Sequence, residues 1–178
     1  VAHDWGGAVA WSVAGNHPDL VSTMTVATPH PGAFMRSMFT SGQIFKSYYM
    51  LVFQLPFLPE WVLGSRFGGR AMRKGGMTKE MVARYYSEII DYGAMHGGLG
   101  YYRSMFVVSP KEFGKKVSVP TTQVWGENDV AIGRKAAEKS EGFTSGPYEF
   151  EVFEGASHWI PEERSADFAA SILKRAGV

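Results

Sequence analysis

The sequence predicts an α/β protein: a parallel sheet with helices on both faces, interrupted by one all-helical insertion. Three observations predict it. Apolar, β-branched runs alternate with helical patterns at both ends of the 178-residue chain. An aromatic-rich stretch without a convincing strand, residues 33–116, separates those ends. Asp4, Asp129 and His158 each fall at the expected carboxyl end of a strand, which is where ligands bind in sheets of this kind.

The elements follow in order. Val1-Ala2-His3-Asp4-Trp5-Gly6-Gly7 reads as a short strand that stops at a carboxylate, turns sharply and enters a helix. A small-x-nucleophile-x-Gly turn of this kind is a nucleophile elbow, which lifts one side chain above the sheet among backbone N–H groups. Small and apolar residues over 6–14 fit a helix packed closely on the sheet. Asn16-His17-Pro18 ends it, because proline disfavours helix in the residue before it. Residues 21–27 read as a buried strand and residues 28–32 as a breaker, so that residues 1–32 form a first piece of the core. Within 33–116, amphipathic stretches cover 34–39, 44–53, 59–67, 79–92 and 99–107. The α/β pattern then resumes over 117–178. A strand at 121–125 is followed by the loop Gly126-Glu127-Asn128-Asp129 and a helix at 131–140. A strand at 148–153 is followed by the loop Glu154-Gly155-Ala156-Ser157-His158. The last helix, 161–175, opens on Pro161 and two Glu, which suits its dipole.

Composition removes several classes of function. Hydrophobic residues at 45% and charged residues at 20% describe a globular chain, not a disordered one. A net charge of +1 gives no electrostatic case for nucleic acid. The absence of Cys excludes disulfides, thiolate metal sites and a Cys nucleophile. No group of His and carboxylates has metal-ligand spacing and no Gly-rich loop cradles phosphate, so neither metal nor organic cofactor is expected. The most apolar stretch, 48–63, is broken by Pro56, Pro59 and Glu60. It falls short of the roughly 20 apolar residues a bilayer needs, and no membrane span is expected. No secretory signal is visible, and a cytoplasmic location is expected. Of the 12 Phe, 8 Tyr and 5 Trp, many lie between residues 45 and 106, as core or as a lid walling an apolar pocket.

Asp4, Asp129 and His158 have the chain order nucleophile, acid, histidine. Asp4 on an elbow can attack an electrophilic carbon and become an ester. His158 can then take a proton from water, while Asp129 fixes its tautomer. Glu127, two residues away, is the alternative acid. The backbone N–H of Trp5 follows the nucleophile and would meet the oxyanion of ester hydrolysis. His3 reads as packing or orientation, and His17, His30 and His96 as structural.

Over nearly its whole length the chain resembles the epoxide hydrolases of the α/β-hydrolase superfamily. The elbow His3-Asp4-Trp5-Gly6-Gly7 carries part of the resemblance, but haloalkane dehalogenases share it. The insertion discriminates. Family members carry two lid tyrosines that grip the epoxide oxygen, the first four residues before the Phe of a Phe-Gln-x-Pro segment. In Tyr48-Tyr49-Met50-Leu51-Val52-Phe53-Gln54-Leu55-Pro56 that selects Tyr49 over Tyr48. The second lies in a segment like Ala-Leu-Asn-aromatic-Tyr-Arg, here Gly98-Leu99-Gly100-Tyr101-Tyr102-Arg103, which selects Tyr102. A phenol with a pKa of about 10 stays protonated at neutral pH and can donate to the developing alkoxide.

The resemblance implies the C-terminal portion of an α/β-hydrolase fold with a helical cap at 33–116. It implies a small apolar epoxide and water as substrates, a vicinal diol as product, and Trp5, Phe53 and Trp159 as substrate-lining residues. Ala2 stands where the family commonly has Gly, and Gly98 and Gly100 where it has Ala and Asn. The family's four strands before the elbow, with a His-Gly-x-Pro loop, have no counterpart here. The chain is therefore expected to begin within the fold, and these residues alone to have little activity. Two alternatives remain: a haloalkane dehalogenase, which needs no phenol pair, and a non-catalytic binding protein on the same fold.

Overall fold

The computed structural model describes residues 1–109 and 114–178. The chain divides into two compact units, one of Val1–Lys46 with Ser109–Val178 and one of Ser47–Val108.

The first unit is built on a four-stranded parallel sheet in the order β1-β2-β3-β4, with β1 Ala2–His3, β2 Met24–Ala27, β3 Thr121–Gly126 and β4 Tyr148–Phe153. Register places Val26, Gln123 and Phe150 side by side, so that they share a face with Met24, Trp125 and Val152. Helices α1 (Asp4–Asn16) and α9 (Arg134–Glu138) cover that face, with Trp11 and Ala14 packed on Met24 and Val26, and Ala136 and Ala137 against Trp125. Val124, Ala27 and Phe153 point the other way, onto Ile160 of α10 (Ile160–Glu163) and Phe168 of α11 (Ser165–Ala176). The alternation of β4 follows from this division: Glu149 and Glu151 meet Lys174, Arg175 and Ser171 of α11. Val26 and Val124 are almost fully buried, each contributing roughly 1.5–3 kcal/mol. Helices α2 (Pro31–Thr40) and α3 (Gln43–Lys46) belong to the same unit.

The second unit holds α4 (Tyr49–Val52), α5 (Leu58–Gly64), α6 (Arg66–Lys74), α7 (Lys79–Tyr85), a π-helical turn over Tyr86–Ile90, and α8 (Met95–Ser104). Ser65 caps α6 by accepting the Phe67 N–H, and Thr78 caps α7 by accepting the Met81 N–H. Tyr86 Oη accepts the Gly69 N–H at 3.1 Å and donates to the Ser65 carbonyl. Among the described residues this unit has no strand, and no helix of the chain is long and apolar enough to cross a membrane.

Several expected boundaries move, each for a local reason. The expected helical segment 33–116 and the compact unit Ser47–Val108 differ, because residues 33–46 pack with the sheet unit; residues 110–113 of that segment lie outside the described residues. Pro31 and Gly32 begin α2 instead of breaking the chain. Pro31 occupies the first helical turn, and His30 Nδ1 accepts the Gly32 N–H at 3.0 Å. Residues 21–23 stay outside β2 after a 3₁₀ turn at Pro18–Leu20. The helix expected over 161–175 divides at Arg164 into α10 and α11. The helix expected over 131–140 divides into α9, which starts only after an extended Gly133, and a 3₁₀ turn over Lys139–Phe143.

Candidate active site

Asp4 stands at the junction of β1 and α1 with φ 49°, after an extended His3. A left-handed backbone in a residue with a Cβ costs roughly 1–3 kcal/mol and persists only where the surroundings enforce it. They do so here through close packing. A Cβ on Gly7 would sit 2.6 Å from Thr28 Cβ, so only glycine lets α1 approach β2 at this point. Thr28 Oγ1 lies 3.2 Å from the Asp4 carbonyl, and Trp11 Nε1 donates to the Thr28 carbonyl at 3.0 Å. The side chain thrown out by this turn is 45% exposed.

His158 joins two carboxylates. Its Nδ1 lies 2.8 Å from Asp129 Oδ2 and its Nε2 3.4 Å from Asp4 Oδ1. The other Asp129 oxygen accepts from Ala131 N–H at 2.7 Å and Ile132 N–H at 2.8 Å. Glu127, the alternative acid, instead accepts the Gly155 N–H at 3.0 Å. Asp129, not Glu127, is therefore the carboxylate that faces His158 Nδ1, and Nε2 is left toward Asp4.

The electrostatics follow from this geometry. Burial alone would raise the Asp4 carboxyl, but the hydrogen bond and charge of His158, with the N–H of Trp5, outweigh it and hold Asp4 below the usual carboxylate range. Burial pulls His158 down, yet the two flanking carboxylates push it up to about 10. Burial and the neighbouring His158 push His3 below the usual imidazole value.

Side chains that the sequence did not single out hold the loop after β3. Gln43 donates to the Ala131 carbonyl at 2.6 Å and accepts the Gly133 N–H at 2.8 Å. Lys46 Nζ donates to the Asp129 carbonyl at 2.8 Å. Both sit on α3, far from Asp129 in sequence, and no local pattern announces them. Trp159 packs edge-on to His158, with ring centroids 5.3 Å apart. Its Nε1 is buried without an acceptor among the described residues.

In the second unit, Tyr49, Phe53 and Tyr102 form one aromatic cluster. Ring centroids are 6.0 Å apart for Tyr49 and Tyr102, 5.4 Å for Tyr49 and Phe53, and 4.8 Å for Phe53 and Tyr102. Tyr48, the other candidate, is 67% exposed. Polar bonds lock the cluster's backbone: Gln54 Nε2 donates to the Tyr102 carbonyl at 2.9 Å, and Arg103 donates to the carbonyls of Phe53 and Leu55. Arg103 also pairs with Glu60 at 2.7 Å, and His96 lies 3.6 Å from the same carboxylate. Among the described residues, no group of three His, Cys, Asp or Glu could hold a metal ion.

Residues 1–165 match the family model described as "alpha/beta hydrolase fold". The chain is 35% identical over 173 residues to mouse epoxide hydrolase 3, covering 91% of this chain and 47% of that protein. It is 32% identical over 178 residues to epoxide hydrolase 3 of Xenopus tropicalis, covering 92% and 48%. The chain thus spans about half the length of these relatives. A crystal structure of a Bacillus megaterium epoxide hydrolase with an inhibitor superposes with a TM-score of 0.78 at 20% identity, covering 99% of this chain and 68% of that one. That likeness is one of fold.

Proposed function

The chain belongs to the α/β-hydrolase fold family, and from that premise we propose that its full-length polypeptide is an epoxide hydrolase. Asp4 is the nucleophile, His158 the base and Asp129 the acid. The observation that carries the reading is the pair of contacts made by His158, 3.4 Å to a carboxylate on a strained elbow and 2.8 Å to a second carboxylate behind it. The Tyr49–Tyr102 pair supports an epoxide over an alkyl halide, because only the epoxide needs a proton donor for its leaving oxygen. The names of the relatives agree with it.

Two half-reactions follow. An Asp4 oxygen bonds to a ring carbon and the carbon–oxygen bond of the epoxide breaks. The electron pair goes to the epoxide oxygen, which takes a proton from Tyr49 or Tyr102; solvent restores that tyrosine. Trp5 and Trp159 offer apolar surface to the substrate, and Phe53 packs against both phenols. Esterification removes the charge of Asp4, so one of the two carboxylates that hold the proton on His158 is gone. His158 releases that proton to solvent and becomes a base. Nε2 next takes a proton from water, and the hydroxide attacks the Asp4 carbonyl carbon. The oxyanion forms beside the Trp5 N–H, the group that hydrogen-bonds the Asp4 carboxylate at rest. Collapse breaks the ester bond, the departing alkoxide takes the proton from His158 to give the diol, and the carboxyl proton left on Asp4 passes to His158 to restore the resting pair.

A single turnover in ¹⁸O water tests the scheme. The label is expected in the Asp4 carboxylate and absent from the first equivalent of diol. A labelled diol with unlabelled Asp4 would mean direct attack by water and would refute the covalent route. Halide release from haloalkanes without epoxide turnover would refute the substrate class.

A further inference from the structure

We propose that His3 is a positioning residue that pins the backbone of His158 over the elbow through an Nε2–H to carbonyl hydrogen bond. The proposal rests on the epoxide hydrolase reading above and assigns a residue that reading does not use.

The geometry poses a problem that His3 answers. Strands β1 and β4 stand three places apart in the order β1-β2-β3-β4. Three strand spacings put them about 14 Å apart, yet His158, from the loop after β4, meets Asp4 at the end of β1 at 3.4 Å. The loop must therefore reach back across the carboxyl ends of β3 and β2. Asp129 holds the Nδ1 end of the His158 ring, but a ring held at one atom can still pivot about it. His3 supplies the second point. Its Nε2 lies 2.9 Å from the His158 carbonyl oxygen. A carbonyl only accepts, so this nitrogen carries a proton and donates it. The two imidazole rings lie 4.9 Å apart, and the His3 ring is 6.5 Å from that of Trp159. The tie thus runs from the residue before the nucleophile to the residue that carries the base.

Its loss acts unequally on the two half-reactions. Asp4 attacks the epoxide without His158 as base, whereas ester hydrolysis needs Nε2 aimed at a water beside the Asp4 carbonyl. A misplacement of about 1 Å costs such a step on the order of 100-fold.

The test compares His3→Asn and His3→Gln in the full-length polypeptide, with styrene oxide as probe. The Gln amide reaches the position of Nε2, whereas the Asn amide stops at that of Nδ1. With enzyme in excess, mass spectrometry of the Asp4 peptide follows formation and decay of the ester. In His3→Asn, ester decay is expected to slow roughly 10- to 100-fold and kcat to fall with it, while kcat/KM changes much less. His3→Gln is expected to restore most of the decay rate. Unchanged decay in His3→Asn, or equal loss in both variants, would overturn the proposal. If the wild type makes diol with no ester on Asp4, the functional reading fails instead. The tie is then judged in the wild type by ¹⁵N NMR of the ring, as it also is where a variant does not fold. A protonated Nε2 on His3 supports it, and a proton on Nδ1 alone overturns it.

Discussion

Replacing Asp129 by Asn removes one charge and keeps the shape, and the structure fixes how the new amide must sit. One Asp129 oxygen accepts two backbone N–H groups, of Ala131 and Ile132, at 2.7 and 2.8 Å. The other faces His158 Nδ1 at 2.8 Å. In Asp129→Asn the amide oxygen must take the two N–H groups, because an NH₂ there would leave two buried donors unpaired. That costs about 1–3 kcal/mol for each donor. The NH₂ therefore faces Nδ1 and makes it an acceptor, which moves the imidazole proton to Nε2. A protonated Nε2 on a neutral ring cannot take a proton from water. At about 2 kcal/mol against it, the flipped amide is left in roughly one molecule in thirty, and at about 6 kcal/mol in fewer than one in 10⁴. Ester hydrolysis should accordingly fall by about 30-fold to 10⁴-fold, a span whose upper end equals the loss from the same substitution in a serine-protease triad. Alkylation of Asp4 should persist. Rapid quench with mass spectrometry of the Asp4 peptide would show the ester accumulating to near one per enzyme. An Asp129→Asn enzyme that hydrolyses its ester at the wild-type rate would refute the tautomer argument.

Two further perturbations probe the frame of the site. A Cβ on Gly126 would lie 2.2 Å from the Ser157 carbonyl oxygen and 2.7 Å from that of Ala156, so Gly126→Ala should cost about 1–3 kcal/mol in urea unfolding and displace the His158 loop. Unchanged stability would refute the close approach. His30 is buried, stacked on Phe143 with centroids 4.5 Å apart, and burial pushes it down to about 4 while the Lys115 carbonyl pulls the other way. Above pH 6.5 it is neutral folded and unfolded and contributes nothing to pH dependence; as pH falls from 6.5 to about 4 only the unfolded chain gains the proton, so stability drops by up to about 3 kcal/mol. His30→Asn, which can still cap α2, should flatten that slope in urea titrations between pH 7.5 and 4.5, and an unchanged slope would assign it elsewhere.

Much of the fold was legible because its signals are local. Alternation over Tyr148–Phe153 marks β4 to the residue, and the β-branched and aromatic residues at 121–125 mark all but the last residue of β3. The shared placement of Asp4, Asp129 and His158 at strand ends is a consequence of the α/β pattern, and the structure brings those three together. The spacing within the Phe-Gln-x-Pro segment picks Tyr49, which is the tyrosine beside Tyr102. What the sequence did not reveal is non-local. Gln43 and Lys46 reach residues more than eighty positions away. The use of Gly126 depends on a loop that follows another strand. A breaker such as Pro31-Gly32 looks the same whether it ends an element or starts a helix, and only the His30 cap decides.

The departures from local preference carry information of their own. Natural sequences keep propensity, pattern and packing in agreement, and break that agreement where function requires it. Among the described residues two non-glycine residues have positive φ, Asp4 and Phe57. The first is the proposed nucleophile, held against its preference by the Gly7–Thr28 approach. The second lies in the turn between α4 and α5, two residues after Leu55, whose carbonyl accepts from Arg103. Arg103 in turn follows Tyr102 and pairs with Glu60 beyond the turn. Strain at Phe57 thus closes a loop whose backbone holds the phenol pair, as strain at Asp4 aims the carboxylate. Both departures thus bear on groups that the proposed reaction needs, Asp4 itself and the turn that Arg103 ties to the segment carrying Tyr102.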